Sequence, residues 1–126
     1  MTRVPRPILE RRHSVRIEEN LPFKIGHHGY DIQATTLNVS SRGVMCLVDR
    51  DIPLMTQLEI GLTIPGIGAK MSKPRQILTK GVVVRKEKDH STGKFLIGIY
   101  FSDLKERSRE LLLKFIEHRL KKDTRR

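Results

Sequence analysis

The sequence predicts a mainly β protein, a six-stranded antiparallel β-barrel followed by a C-terminal α-helix. Three observations carry this expectation. Short apolar runs of strand length recur between residues 21 and 101, separated by turns rich in Gly, Pro, Asn and Asp. Within several of these runs apolar and polar residues alternate, the period of a sheet with one buried face. Beyond residue 104 the period lengthens to that of a helix. Six short strands at this spacing favour a closed barrel over an open sheet, because closure removes exposed strand edges.

The elements follow in order. Residues 1–9 contain Pro5 and Pro7, which oppose both helix and central strand, and are expected to form a flexible N-terminal arm. A single domain is expected over 10–120. It opens with the alternating run Leu21-Pro22-Phe23-Lys24-Ile25, a turn at Gly26-His27-His28-Gly29, and a strand over 30–37, together a hairpin. Residues 38–43 make the next turn and feed an apolar strand over 43–48, and 49–53 is a loop. In the segment 57–64, Leu58, Ile60, Leu62 and Ile64 share one face, which predicts a half-buried strand. A loop runs from Pro65 to Pro74. Segments 76–86 and 94–101 then form a second hairpin across Asp89-His90-Ser91-Thr92-Gly93. In the last element Leu111, Leu112, Phe115, Ile116 and Leu120 fall on one helical face. Asp103 and Glu106 have the spacing of a capping box, and the helix is expected to pack across one opening of the barrel. Residues 121–126 read as a solvated, frayed basic C-terminal tail.

Composition narrows the functional classes. The chain has 126 residues, 37% of them apolar, enough for one modest core. No apolar run approaches the ~18 residues of a membrane-spanning helix, and no export signal is evident, so a cytoplasmic location is expected. The one cysteine, Cys46, excludes an internal disulfide and, lying in an apolar strand, reads as a buried inert thiol. The net charge of +11 is unevenly placed. Residues 1–16 carry five Arg against Glu10, and residues 105–126 carry nine Lys and Arg against four acids. The body between them is nearly neutral. Such an arm draws in polyanions, whether a small dianion or a nucleic-acid backbone.

Two motifs give that charge a more definite target. Arg11-Arg12-His13-Ser14-Val15-Arg16 spaces Arg12 and Arg16 as Arg-x-x-x-Arg, with Arg11 alongside. Twenty-six residues after Arg12, Asn38-Val39-Ser40-Ser41-Arg42-Gly43 reads Asn-x-Ser-x-x-Gly. Guanidinium forks grip phosphates with paired hydrogen bonds, or take the O6/N7 edge of a guanine. A turn built from Asn, Ser and Gly offers short polar groups and a backbone that a flat ligand can approach. Together they describe a site for an anion that also carries a purine.

In this order the motifs resemble those of the PilZ family, small β-barrel receptors for the bacterial second messenger cyclic di-GMP. The family pattern is Arg-x-x-x-Arg followed by Asp/Asn-x-Ser-x-x-Gly, here Arg12, Arg16, Asn38, Ser40 and Gly43. Gly81-Val82-Val83-Val84-Arg85, Gly98-Ile99-Tyr100-Phe101 and Ser102-Asp103-Leu104 are similar to the family's late hairpin and the start of its terminal helix. The resemblance covers roughly 10–116. It implies a non-enzymatic receptor or adaptor that binds cyclic di-GMP and transmits the signal to a downstream protein partner by ligand-induced ordering. The implied ligand set is Arg11, Arg12 and Arg16 on phosphates and guanine edges, and Asn38 on a guanine Watson–Crick edge. Ser40 gives a hydroxyl to base or phosphate and Gly43 a closely approached backbone, with Arg42 as a further contact and Arg85 as a stacking plane. Asn38 stands where the family often has Asp, which keeps the acceptor and removes the charge.

The competing reading is a basic nucleic-acid-binding β-barrel. It would lack the aromatic platform on which bases stack, since the chain has no Trp, two Tyr and four Phe. Catalysis is the least supported class. No Ser has a His and an acid in a nucleophile context, no pair of acids lies in an apolar setting, and Gly66-Ile67-Gly68 lacks the Lys-Ser/Thr of a phosphate-binding loop. No catalytic residue, cofactor or metal site is expected. His27 and His28 are adjacent and point apart, and no second Cys completes a zinc spacing.

Overall fold

A computed structural model of the chain describes residues 15–27, 29–68 and 72–124. Among these residues six strands precede one helix: β1 (Pro22–His27), β2 (Tyr30–Val39), β3 (Gly43–Val48), β4 (Gln57–Ile64), β5 (Arg75–Asp89), β6 (Lys94–Phe101) and α1 (Glu106–Thr124). The strands close into a barrel in the order β1-β2-β3-β6-β5-β4, every pair antiparallel, with β4 returning to β1.

The alternation read from the sequence places its side chains as expected. Leu58, Ile60, Leu62 and Ile64 of β4 all point into the barrel, joined by Phe23 and Ile25 of β1, Val44, Cys46 and Val48 of β3, and Ile97 and Ile99 of β6. At the β1–β2 hairpin His27 pairs with Tyr30, and Gly29 in the turn takes φ +81, a conformation open to glycine without strain. The helix adds Leu112, Phe115 and Ile116 to the same continuous core. Burying a side chain of this size is worth roughly 1.5–3 kcal/mol, so these three residues are a main contribution to holding the helix on the barrel.

Two details at the helix differ from expectation. Its first hydrogen bond runs from Arg109 N to the Lys105 carbonyl at 2.9 Å, which makes Lys105 the N-cap. Asp103 therefore lies two residues too early for a capping box with Glu106. At the other end the helix runs on to Thr124, into the stretch expected as a frayed tail. Its last turns are rich in Lys and Arg, the charge that suits the negative end of a helix dipole.

Before β1 the chain is zipped onto the barrel. Ile17 and Val39 exchange both backbone hydrogen bonds at 2.9 Å. The buried Thr36 hydroxyl donates to the Glu19 carbonyl at 2.6 Å and accepts from Leu21 N at 2.9 Å. The Glu19 carboxylate also lies 3.0 Å from Arg119 Nε of α1, an ion pair that falls short of an aligned hydrogen bond.

Two β-bulges decide which side chains face outward. In β2 the register shifts between Thr36 and Asn38, and in β5 between Val83 and Arg85, so Leu37 and Val84 are the inserted residues. Up to each bulge alternate residues point inward, ending at the buried Thr36 and Val83. Strict alternation would send Asn38 and Arg85 into the barrel next. One extra residue in each strand reverses the phase and turns both onto the outer surface.

Candidate functional site

The two bulges place Asn38 and Arg85 in one transverse row. Asn38 pairs with Met45, Met45 with Gly98, and Gly98 with Arg85, across β2, β3, β6 and β5. At the usual strand separation this row spans roughly 14 Å of outer barrel surface. Its centre is Gly98, which is buried: a Cβ there would come within 2.9 Å of Met45 Sδ and 3.2 Å of Arg85 Cβ, so the glycine makes room for the Met45 side chain. The outer surface of the row is therefore made by Met45 and Arg85, which meet over Gly98.

Arg16 comes to this row from the N-terminal segment. Its Nη1 donates to Asn38 Oδ1 at 2.7 Å, so the last residue of the first motif touches the first residue of the second. Partial desolvation, and after it the positive charge of Arg85, hold the Arg16 guanidinium below its ordinary pKa. Two cations thus converge on one face beside a neutral amide. That arrangement costs free energy in the empty protein and is relieved by an anion.

The rest of the second motif is structural in this conformation. Ser40 is buried, and its Oγ accepts from Arg42 N at 3.1 Å and Gly43 N at 3.3 Å, while Ser40 N donates to the Gly43 carbonyl at 2.9 Å. These bonds close the turn that follows Asn38. Gly43 is required by its neighbour, since a Cβ there would lie 2.0 Å from the Ile99 carbonyl oxygen of β6. Arg42 is exposed, and it lines a separate cavity with Ser41, Tyr100, Phe101 and Arg109. Arg16, Asn38 and Arg85 are therefore brought together, Ser40 and Gly43 support them from below, and Arg42 points elsewhere. Arg11 and Arg12 lie outside the described residues.

Sequence reasoning overlooked Met45 and Gly98. A glycine inside the otherwise apolar strand Lys94–Phe101 was a readable signal, because such a glycine often marks the close approach of a ligand or another chain. Met45 had none, being one apolar residue among several.

Among the described residues no three His, Cys, Asp or Glu side chains group in a way that could hold a metal ion. Cys46 is fully buried, and burial pushes its thiol pKa up to about 12, which leaves it a poor nucleophile. No helix among the described residues is long and apolar enough to cross a membrane.

A closed six-stranded antiparallel barrel with one terminal helix, carrying this outer-face site, defines the class of small β-barrel domains built on the PilZ fold. The PilZ domain model matches residues 10–118, and the chain belongs to that family. Among solved structures it is similar to the Bacillus subtilis inhibitor of motility, MotI/DgrA, with a TM-score of 0.75 and 23% identity over 89% of this chain. The match takes in 53% of that protein, so this chain spans about half its length. It is also similar to the PilZ domain of YcgR from Escherichia coli, a structure with c-di-GMP, with a TM-score of 0.58 and 14% identity over 91% of this chain and 95% of that one. Among curated proteins none matches.

Proposed function

We propose that this domain is a cyclic di-GMP receptor that acts by binding and not by catalysis. The observation that carries the reading is the 2.7 Å bond between Arg16 and Asn38, which unites the two motifs on the face that also presents Arg85. Family membership and the ligand in the YcgR structure support it. In this reading the guanidinium of Arg16 takes a phosphate, and the Asn38 carbonyl, now holding Arg16, accepts from a guanine N–H. The flat base lies against Met45 in the middle of the row, with the Arg85 guanidinium over its face. Arg11 and Arg12 close on the ligand from the same segment as Arg16. Their engagement creates a new surface for a protein partner, which is how the signal leaves the domain.

Calorimetric titration with cyclic di-GMP, GMP and single-stranded DNA tests this reading. Saturable binding of cyclic di-GMP in preference to the other two is expected. Tight DNA binding with no heat from cyclic di-GMP would overturn it in favour of a nucleic-acid-binding barrel.

A further inference from the structure

Next to the row from Asn38 to Arg85 lies a second feature that the proposed site does not use. Ser41, Arg42, Tyr100, Phe101 and Arg109 line a cavity of about 300 Å³. Two of these five residues carry positive charge and none carries negative charge. Among the described residues neither Arg42 nor Arg109 has an acidic partner at ion-pair distance. Clustered guanidinium groups in a polar recess, unbalanced by carboxylates, are the chemistry of a phosphate site.

Its position ties it to the first site. Tyr100 and Gly98 both face outward on β6, two residues apart, about 7 Å along the strand. Tyr100 is 49% exposed and pairs with Gly43, the last residue of the second motif. Arg42 is fixed at this end of β6 by the bond from Phe101 N to its carbonyl at 2.8 Å. Arg109 reaches the cavity from the first turn of α1. A ligand seated on the row from Asn38 to Arg85 therefore has a phenol ring and two cations within reach at its helix-proximal end.

We infer that Arg42, Tyr100 and Arg109 form a second phosphate subsite, in which a guanine dinucleotide bound on the outer face places a further phosphodiester against the C-terminal helix. This rests on the cyclic di-GMP reading and extends it. Arg42 and Arg109 supply paired donors to the phosphate oxygens, and Tyr100 offers its ring to a base and its hydroxyl to the phosphate. The phosphodiester belongs either to the same ligand molecule or to a second copy beside it. In either case the ligand bridges barrel and helix, and α1 becomes part of the binding site.

Calorimetry with cyclic di-GMP tests the subsite on the full chain and on the variants Arg109→Ala, Arg109→Lys, Tyr100→Phe and Lys114→Ala. Lys114 is an exposed charge on the same helix and serves as the control. Arg109→Ala is expected to raise Kd at least tenfold if one ligand spans both sites, or to lower the stoichiometry from two to one if a second copy is held. Arg109→Lys should recover part of the loss, Tyr100→Phe should cost a few-fold, and Lys114→Ala should change nothing. If the wild-type chain binds and Arg109→Ala binds equally well, the subsite is overturned while the receptor reading stands. Equal losses at Arg109 and Lys114 also overturn it, because only net charge is then being read. If the wild-type chain does not bind cyclic di-GMP, both fail.

Discussion

Arg16 and Asn38, 22 residues apart in the chain, are joined by a hydrogen bond of 2.7 Å from guanidinium to amide oxygen. The bond fixes the direction in which each side chain faces Met45 and Arg85 on the outer barrel surface. It also means that neither residue is altered alone. Arg16→Ala removes a charge-assisted contact, typically about 1.5–3 kcal/mol. The expected outcome is a ten- to hundredfold rise in Kd for cyclic di-GMP by calorimetry, against no change for Arg125→Ala.

Asn38→Asp puts a carboxylate against Arg16 in place of the amide. The bond becomes charge-assisted on both sides while an acceptor for a guanine N–H is kept. Affinity is expected to be equal or tighter. A large loss would show that the Asn38 amide donates to the ligand.

Gly43 and Gly98 should respond differently to one added methyl. At Gly43 the obstacle is a backbone carbonyl of β6 at 2.0 Å, which cannot move without parting two strands. Gly43→Ala should cost about 3 kcal/mol or more in denaturant unfolding, at the upper end of overpacking penalties. At Gly98 the nearest atom is the flexible Met45 thioether at 2.9 Å, which can rotate away. Gly98→Val should keep most of the stability and lose ligand binding, because the displaced Met45 side chain is pushed out into the face on which the base lies.

Thr36 holds the segment that carries Arg16. Thr36→Val leaves Leu21 N and the Glu19 carbonyl without their partner in a buried setting, at about 1–3 kcal/mol. Stability should fall by that amount, hydrogen exchange at the Ile17 and Leu21 amides should accelerate, and affinity for cyclic di-GMP should drop. Thr36→Ser, which keeps the hydroxyl, should restore most of each.

The buried thiol predicts a pH dependence of stability. Burial raises the Cys46 pKa from 9.0 to about 12, so the folded state keeps the proton where the unfolded state releases it. Stability from this group is fully present below pH 9 and is lost as pH rises toward 12. Wild-type protein should lose stability across that range more steeply than Cys46→Val, measured by urea unfolding at a series of pH values.

Much of the fold was legible because its signals are local. Leu58, Ile60, Leu62 and Ile64 declare their face within eight residues, and Phe115 with Leu112 and Ile116 declare the helix face within five. The start of the helix was misjudged by two residues because Asp103 has the chemistry of a cap without occupying the cap position. For the site, the motifs singled out Arg16 and Asn38 but not why they meet. Asn38 was assigned to a turn and is the penultimate residue of β2. The missing information was register, a relation between strands that no single segment of sequence carries.

The outward phase of Asn38 and Arg85 rests on one surplus residue in each strand, Leu37 and Val84. Neither needs a particular side chain for this, so what is encoded is parity. A substitution at either position leaves the site where it is. Deleting one residue moves a polar or charged group from the solvent side of the wall to the oily side, without altering any motif residue. A search that scores motif residues alone would still recognise such a deletant, although its binding face had been turned inside out.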